Sequence, residues 1–155
     1  MLIAAFSDIH ANKHALEAVL TDIRQHAPDR AVCLGDLVGY GAFPNEVIET
    51  IRAADIPTVI GNYDDGVGFE REECGCAYTN PADTERGDRS LRWTQRTVTP
   101  ENKAWLRDLP REVRFEARAS RCSACTAARD ASTSTSSRTG PSAAWSGCSP
   151  ISKLT

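Results

Sequence analysis

Residues 2–10 read LIAAFSDIH, a short apolar run that ends abruptly in polar residues. Two later segments repeat this arrangement, because residues 31–34 precede Gly35-Asp36 and residues 58–60 precede Gly61-Asn62. Short apolar runs bounded by turn residues are typical of buried strands. The three segments therefore predict three strands, each followed closely by polar side chains.

Helical patterns separate these strands. Residues 13–25 place apolar side chains at helical spacing, with Asn12 as a plausible N-cap. Pro44 opens a second helix whose apolar face holds Val47, Ile48 and Ile51. Alternating strands and helices predict parallel βαβ units in an α/β fold. Such folds place their chemistry at the carboxyl ends of the strands, where the polar residues lie.

The next part of the chain is predicted from weaker patterns. Residues 65–82 are expected to be irregular, whereas residues 84–97 and 101–109 have helical patterns, the latter with Pro100 at its first position. Residues 112–116 are expected to begin another strand.

Composition excludes several classes of protein. The chain has 155 residues, of which 41% are hydrophobic and 25% charged, as in an ordinary globular domain. A net charge of −3 gives no general case for binding nucleic acid or an acidic membrane. No segment approaches the roughly 18 apolar residues of a membrane span, and residues 2–6 are too few for a secretion signal. We expect a cytoplasmic protein without a membrane or specific nucleic-acid partner.

The sequence holds six cysteines, namely Cys33, Cys74, Cys76, Cys122, Cys125 and Cys148. Without a secretion signal, an even number of cysteines does not imply disulfides. Cys122 and Cys125 have the C-x-x-C spacing of a zinc site. The other pair, Cys74 and Cys76, is C-x-C, and no zinc-ribbon pattern surrounds either pair, so a structural zinc site is the weaker interpretation.

Four polar residues at the strand ends suggest a metal centre. Asp8 and His10 share one face of an extended segment, because alternate residues of a strand point the same way. Asp36 and Asn62 follow the next two strands and should converge on them. A mixture of nitrogen and oxygen ligands suits Mn, Fe or Zn, and it differs from the thiolate ligands of a structural zinc site. Asp-x-His, Gly-Asp and Gly-Asn are each common outside metal sites, but their occurrence in this order after three apolar strands indicates a metal site. Two cations about 3.5–4 Å apart can activate a water and clamp a phosphoryl oxygen.

Three motifs carry a family resemblance: S7DIHAN12, G35DLVGYG41 and G61NYD64. Together they resemble the calcineurin-like metallophosphoesterases, in particular the small bacterial and archaeal phosphodiesterases often labelled diadenosine-tetraphosphatase-like. The resemblance covers residues 1–116. It implies an α/β fold of the four-layer αββα sandwich type, here truncated. It also implies two divalent metal ions (Mn, Fe, Ni or Zn) at the rim of the sandwich.

The resemblance also implies roles for individual residues. Asp8 and His10 would hold the first metal, Asp36 would bridge, and Asn62 would hold the second metal and face the substrate. The implied reaction is the hydrolysis of a phosphomonoester or phosphodiester small molecule by a dimetal-activated hydroxide, with Tyr63 and Asp64 as catalytic residues.

Tyr63 is the first departure from the family pattern, which has histidine there to contact the substrate or protonate the leaving oxygen. Tyrosine, with an ordinary pKa near 10, is a poorer acid at neutral pH. Asp64, which would orient that histidine, loses its usual partner. We therefore expect the chemistry to depend on the metals or to favour esters with good leaving groups.

Missing histidines are the second departure. The family completes its metal shells with V-H-G and G-H-T-H segments, but this sequence holds only His10, His14 and His26. We expect His14 and His26 to lie on the surface. A catalytically silent fragment, or a weak metal- or phosphate-binding module, is therefore the alternative function.

Residues 117–155 differ in character from residues 1–116. They hold ten serines, five threonines and eight alanines among 39 residues, which predicts a low-complexity, disordered tail. Synonymous codons permit an out-of-frame reading that contains V-H-G-S-P followed by a helix-like segment. Our hypothesis is that the tail is an out-of-frame product, and sequencing the DNA past the codon for Glu116 tests it.

Overall fold

Two short parallel strands form the centre of the fold. The computed structural model describes residues 1–76, 78–117 and 120–125. Its elements, in chain order, are β1 (Ile3–Phe6), α1 (Lys13–His26), β2 (Arg30–Cys33), α2 (Pro44–Ala53), α3 (Asn62–Gly68), α4 (Pro81–Thr97), α5 (Pro100–Arg107), β3 (Glu112–Ala117) and β4 (Ser120–Cys125). None of the helices in these described segments is long and apolar enough to cross a membrane.

The parallel pairing predicted from the sequence is confirmed for β1 and β2, which pair in register from Ile3 opposite Arg30 to Phe6 opposite Cys33. The predicted third strand is reduced to one parallel bridge between Cys33 and Thr58. The Val59 N–H donates to the Cys33 carbonyl oxygen at 3.0 Å and extends this contact. The three segments therefore lie side by side, as βαβ units require.

The predicted starts of α1, α2 and α5 are confirmed, whereas α4 begins at Pro81, three residues before its predicted start and inside the segment expected to be irregular. The Asn12 side chain accepts a hydrogen bond from the Ala15 N–H at 3.1 Å and caps α1. Proline occupies the first turn of α2, α4 and α5, where its missing N–H costs no hydrogen bond. The apolar face of α2 is buried as predicted, with Val47, Ile48 and Ile51 at 0% exposure.

Helix α3 is not predicted by the sequence, since Gly61-Asn62 has the composition of a turn and residues from 65 onward are expected to be irregular. Its sequence, NYDDGVG, has two glycines and no apolar period. Local polar contacts form it instead. The Asp64 carboxylate, at the third helical position, accepts from the Gly61 N–H at 3.0 Å, and two acidic residues in the first turn favour the helix dipole.

The two faces of the sheet are buried by different parts of the chain. One face and the helices share a large apolar cluster that includes Cys33, Leu16 and Leu37. The opposite face forms a small cluster of Val32, Leu34 and Val59. Since side chains alternate along a strand, Cys33 points away from Val32 and Leu34.

Strand β3 covers the smaller cluster with Val113 and Phe115. It pairs antiparallel with β4, from Glu112 opposite Cys125 to Ala117 opposite Ser120. The tail predicted to be disordered, residues 117–155, therefore contains the end of β3 at Ala117 and the strand Ser120–Cys125. Backbone pairing to β3 does not require an alternating pattern of side chains, so the composition gave no sign of it. The disorder predicted for residues 126–155 lies outside the described residues.

A close backbone contact joins the ends of β2 and the third segment. Gly35 has φ +94°, and a Cβ there would lie 2.5 Å from the Gly61 nitrogen and 2.8 Å from the Val59 carbonyl oxygen. Only glycine permits both this conformation and this approach.

We expect Gly35→Ala to lower the free energy of unfolding by at least about 3 kcal/mol, because it adds a backbone clash to the left-handed strain. Gly75→Ala is the matched control, since Gly75 also has positive φ (+69°) but a Cβ would meet nothing within 4 Å. It should cost about 1 kcal/mol. Urea unfolding of both variants measures the difference, and equal losses would contradict the packing explanation.

Candidate metal centre

Backbone hydrogen bonds join the loops that follow β1 and β2. The N–H groups of Asp8, His10 and Ala11 donate to carbonyl oxygens of the second loop, at Gly35, Asp36 and Leu37, over 3.1, 3.0 and 2.7 Å. The strand ends are therefore continued by a second, irregular ladder. This ladder fixes the side chains of Asp8 and His10 beside that of Asp36.

Three of the predicted ligands are brought together by this arrangement. Ligand atoms of Asp8, His10 and Asp36 all lie within 4.8 Å of one another. Nε2 of His10 lies 3.7 Å from Oδ1 of Asp8. Asp8 is exposed, whereas His10 and Asp36 are half-buried. The group is thus open to solvent on one side and supported by the protein on the other.

His10 is oriented as metal-binding histidines usually are. Its Nδ1 lies 2.9 Å from the Val38 carbonyl oxygen. Since a carbonyl oxygen can only accept, Nδ1 carries the proton and Nε2 presents its lone pair toward the carboxylates. In metal-binding histidines, such a hydrogen bond from the ring nitrogen that does not bind the metal sets the tautomer and the ring orientation.

Asp36 is held at a position that favours a cation. Its Oδ1 accepts from the Tyr63 N–H at 3.0 Å. A Cβ on Gly61 would clash with the backbone nitrogen and the carboxylate of Asp36. Burial raises the pKa of Asp36, and the charge of Asp8 adds to this, while the Tyr63 N–H and His10 oppose it. A bound cation would reverse the cost of keeping these carboxylates charged, so the donor set fits a divalent metal.

Asn62, the fourth predicted ligand, begins α3. Its Nδ2 donates to the Cys74 carbonyl oxygen at 2.9 Å and to the Cys76 sulfur at 3.3 Å. The amide nitrogen is therefore used by the protein, which leaves Oδ1 as the atom able to bind a metal. A disulfide joins Cys74 and Cys76, a bond that the sequence did not predict.

Asp64 lies beneath the centre and is 0% exposed. Its carboxylate accepts from four backbone N–H groups: those of Asp36 (2.8 Å), Leu37 (2.9 Å), Val38 (3.3 Å) and Gly61 (3.0 Å). Burial and the charge of Asp36 raise the pKa of Asp64 to about 7, against the lowering effect of the backbone N–H groups. In this structure the side chain joins the two loops, at the position where the resemblance implies a catalytic residue.

Tyr63 is also inside the protein, with 1% exposure. Its hydroxyl shares a hydrogen bond of 3.0 Å with that of Tyr78, which in turn contacts the hydroxyl of Tyr40. Tyr40 is 52% exposed, and its ring packs edge-on to His10 with 4.8 Å between centroids. Burial raises the pKa of Tyr40 to about 12 and that of Tyr63 further above its usual range, so both stay protonated at neutral pH.

Sequence reasoning missed the contributions of Tyr40 and Tyr78. Tyr40 lies in the G35DLVGYG41 motif, so its motif was noticed but not its side chain. Tyr78 lies in the segment predicted as irregular, and no sequence pattern marked it.

A surface cleft of about 490 Å³ runs past the exposed Tyr40. It is lined by Asp8, Ile9, His10, Ala11, Asn12, Tyr40, Gly41, Ala42 and Phe43.

Backbone strain is concentrated at the same place. Asp8, His10, Ala11, Asp36 and Tyr40 all have φ between 46° and 57°, in the left-handed region that non-glycine residues rarely adopt. Strain of this kind persists only where the surrounding structure imposes it, and it is concentrated at functional sites.

Comparison with known proteins agrees with this geometry. The family model for the calcineurin-like phosphoesterase superfamily domain matches residues 1–133. The chain belongs to this superfamily. The resemblance drawn from the three motifs is confirmed, and the phosphoesterase motifs S7DIHAN12, G35DLVGYG41 and G61NYD64 are the segments that build the centre.

The relatives described next are longer than this chain. Protein MJ0912 of Methanocaldococcus jannaschii is 43% identical over 110 residues, which cover 70% of this chain and 42% of that protein. The crystal structure of a metallophosphoesterase from Sphaerobacter thermophilus is similar with a TM-score of 0.55 and 34% identity, over 76% of this chain and 44% of that one.

A more distant crystal structure, of a "putative diadenosine tetraphosphatase", has a TM-score of 0.53 at 19% identity, over 73% of this chain and 49% of that one. This likeness shows the shared fold alone. The chain thus spans about half, or less, of the length of the relatives it matches.

Asp64 should be a large contributor to the stability of this phosphoesterase fold. Asp64→Ala would leave four backbone N–H groups without their acceptor, and each such buried group costs roughly 1–3 kcal/mol. We expect the free energy of unfolding to fall by at least about 3 kcal/mol in urea titrations. Asp22→Ala on α1, where the side chain is 71% exposed, should change it by about 0.5 kcal/mol or less. Similar effects for both variants would contradict this role.

Proposed function

We propose that this chain carries the amino-terminal half of an enzyme centre that hydrolyses phosphomonoesters or phosphodiesters with the help of divalent metal ions. The observation that supports this most is the convergence of Asp8, His10 and Asp36, with His10 fixed by the Val38 carbonyl. Superfamily membership supports the same reaction class.

Each protein group has a part in this proposal. Asp8 and His10 would hold one cation, Asp36 would contribute a carboxylate to both cations, and Asn62 would offer Oδ1 to the second. Manganese, iron, nickel and zinc all suit this mixture of nitrogen and oxygen donors. Bound cations supply a nucleophilic water at neutral pH and neutralise negative charge on the phosphoryl oxygens. The cleft beside Asp8 and His10 receives the rest of the substrate.

The tyrosines of the centre differ in their access to substrate. The resemblance implies that Tyr63 touches the phosphate or leaving oxygen, but its hydroxyl is buried against Tyr78. Tyr40 is the member of the cluster that lines the cleft and is open to solvent. We therefore propose that Tyr40 donates a hydrogen bond to bound phosphate, and that Tyr63 supports the His10 ring, whose centroid is 5.4 Å from its own.

The alternative function is a catalytically silent fragment or a weak metal- or phosphate-binding module. It is favoured by coverage, since the matched part of this chain spans less than half of the length of two relatives. It is also favoured by the histidines, because His14 and His26 have 71% and 67% exposed side chains on α1. Both histidines therefore lie on the surface, as predicted.

Hydrolysis of bis-p-nitrophenyl phosphate distinguishes the two functions. We expect p-nitrophenolate release by the purified, folded chain to require added Mn²⁺. Asp36→Ala should reduce it at least about 100-fold, because several kcal/mol of transition-state stabilisation depend on the metals. His14→Ala is the matched surface control and should leave the rate unchanged.

Absence of Mn²⁺-dependent turnover from a chain shown to be folded by circular dichroism would support the alternative. Electron paramagnetic resonance of Mn²⁺ would then separate its two forms, because a binding module retains the cation and a silent fragment does not. Diadenosine tetraphosphate is a second substrate to test, because one structural neighbour is described as acting on it.

The two tyrosine assignments can be compared directly. Tyr40→Phe should lower kcat/KM about tenfold, since it removes a hydrogen bond to a charged group worth roughly 1.5 kcal/mol. Tyr63→Phe should lower it by less, because its hydroxyl contacts Tyr78 and not the cleft. Steady-state kinetics with the same substrate measures both values. A larger loss for Tyr63→Phe would restore Tyr63 as the substrate contact.

A further inference from the structure

The segment of residues 74–76 and 78 contacts Asn62 and the tyrosines beside the metal centre. Two of its groups accept hydrogen bonds from Nδ2 of Asn62: the Cys74 carbonyl oxygen at 2.9 Å and the Cys76 sulfur at 3.3 Å. The same segment continues to Tyr78, whose N–H donates to the Cys76 carbonyl at 3.0 Å. The disulfide therefore lies between Asn62 and the tyrosine cluster.

We propose that Cys74 and Cys76 form a reversible redox site that positions Asn62 for metal binding. The proposal rests on the proposed function, in which Asn62 is a metal ligand. In the oxidised state the disulfide holds the Cys74 carbonyl and the Cys76 sulfur together as acceptors for one amide. With its nitrogen bound twice, the Asn62 side chain has its Oδ1 turned away from both cysteines.

Reduction would change this arrangement in a defined way. Two small-molecule thiols deliver two electrons and two protons, the Cys74–Cys76 sulfur–sulfur bond breaks, and the products are two cysteine thiols and one small-molecule disulfide. The two sulfurs are then no longer bonded, and the Cys76 thiol becomes a hydrogen-bond donor as well as an acceptor. The constraint that places two acceptors on the same Asn62 nitrogen is lost.

Exposure supports access to this bond by small thiols. Cys76 is half-buried and Gly75 is exposed, whereas Cys74 is 6% exposed. Cys33 behaves differently, since it is 0% exposed within the core and burial raises its pKa to about 12. Because thiolates carry out thiol–disulfide exchange, Cys33 should not take part.

The experiment uses the full chain with Cys122, Cys125 and Cys148 replaced by serine, so that Cys74 and Cys76 are the reactive cysteines. Oxidised glutathione or dithiothreitol sets the redox state, and mass spectrometry of intact protein counts the hydrogens lost. Mn²⁺ affinity is measured by electron paramagnetic resonance. We expect the oxidised form to bind Mn²⁺ about tenfold more tightly, as is typical for groups that orient a metal ligand.

A second readout does not depend on metal. The side-chain NH₂ signals of Asn62 in ¹⁵N nuclear magnetic resonance, assigned by their loss in Asn62→Asp, should shift between the two redox states. Cys74→Ser combined with Cys76→Ser should show the reduced-state affinity and no redox response. Cys33→Ala should keep the response.

Three results would overturn the proposal: no disulfide by mass, equal Mn²⁺ affinity in both states, or Asn62 signals that do not move. If neither state binds Mn²⁺ but the Asn62 signals move, the proposed function fails while the contact between the redox site and Asn62 stands. A shift in thermal stability alone would not support the proposal, because a purely structural disulfide would also produce it.

Discussion

The buried carboxylate of Asp64 joins the loop that carries Asp36 to the start of the helix that carries Asn62. Its two oxygens accept from backbone N–H groups on both sides, three in the loop after β2 and one at Gly61. A carboxylate so far from water would be costly without several donors. With them, it fixes the position of the Asp36 backbone relative to the start of α3. Removing it would separate the loop that carries Asp36 from the helix that carries Asn62.

The strained backbone at the centre results from this constraint. Asp36 and its neighbours adopt left-handed conformations that an isolated loop would avoid. They are maintained because the backbone ladder between the first two loops and the donors to Asp64 leave no relaxed alternative. Gly35 and Gly61 complete the arrangement by allowing two backbones to touch. The result is a rigid carboxylate and a rigid imidazole, which is the preorganisation that a metal site requires.

Much of this was predictable, because strands with short apolar runs and their polar ends leave a clear pattern in sequence. The pairing of β1 with β2, the cap at Asn12 and the grouping of Asp8, His10 and Asp36 could all be predicted from such patterns. Helix α3 could not be predicted in that way, since its residues have no apolar period and Asp64 also accepts from the distant N–H groups of Asp36, Leu37 and Val38. The role of Asp64 and the position of Tyr78 depend on tertiary contacts, and neither has a pattern in its neighbours. Strand β4 exists through pairing with β3, whatever its side chains are.

The two faces of the β1–β2 sheet are buried by different parts of the chain, and only one of them packs against the helices beside the metal centre. The face that packs against the helices is built by residues before position 110, and it supports the ligands already present. The opposite face is covered in the described structure by Val113 and Phe115 of β3, where a four-layer sandwich places its second sheet. The matched part of this chain spans less than half of the length of two relatives, so each relative has further residues outside the part that is shared. The motifs that identify the superfamily follow the strands of the first sheet, and contacts among residues 7–64 hold the side chains of Asp8, His10 and Asp36 together.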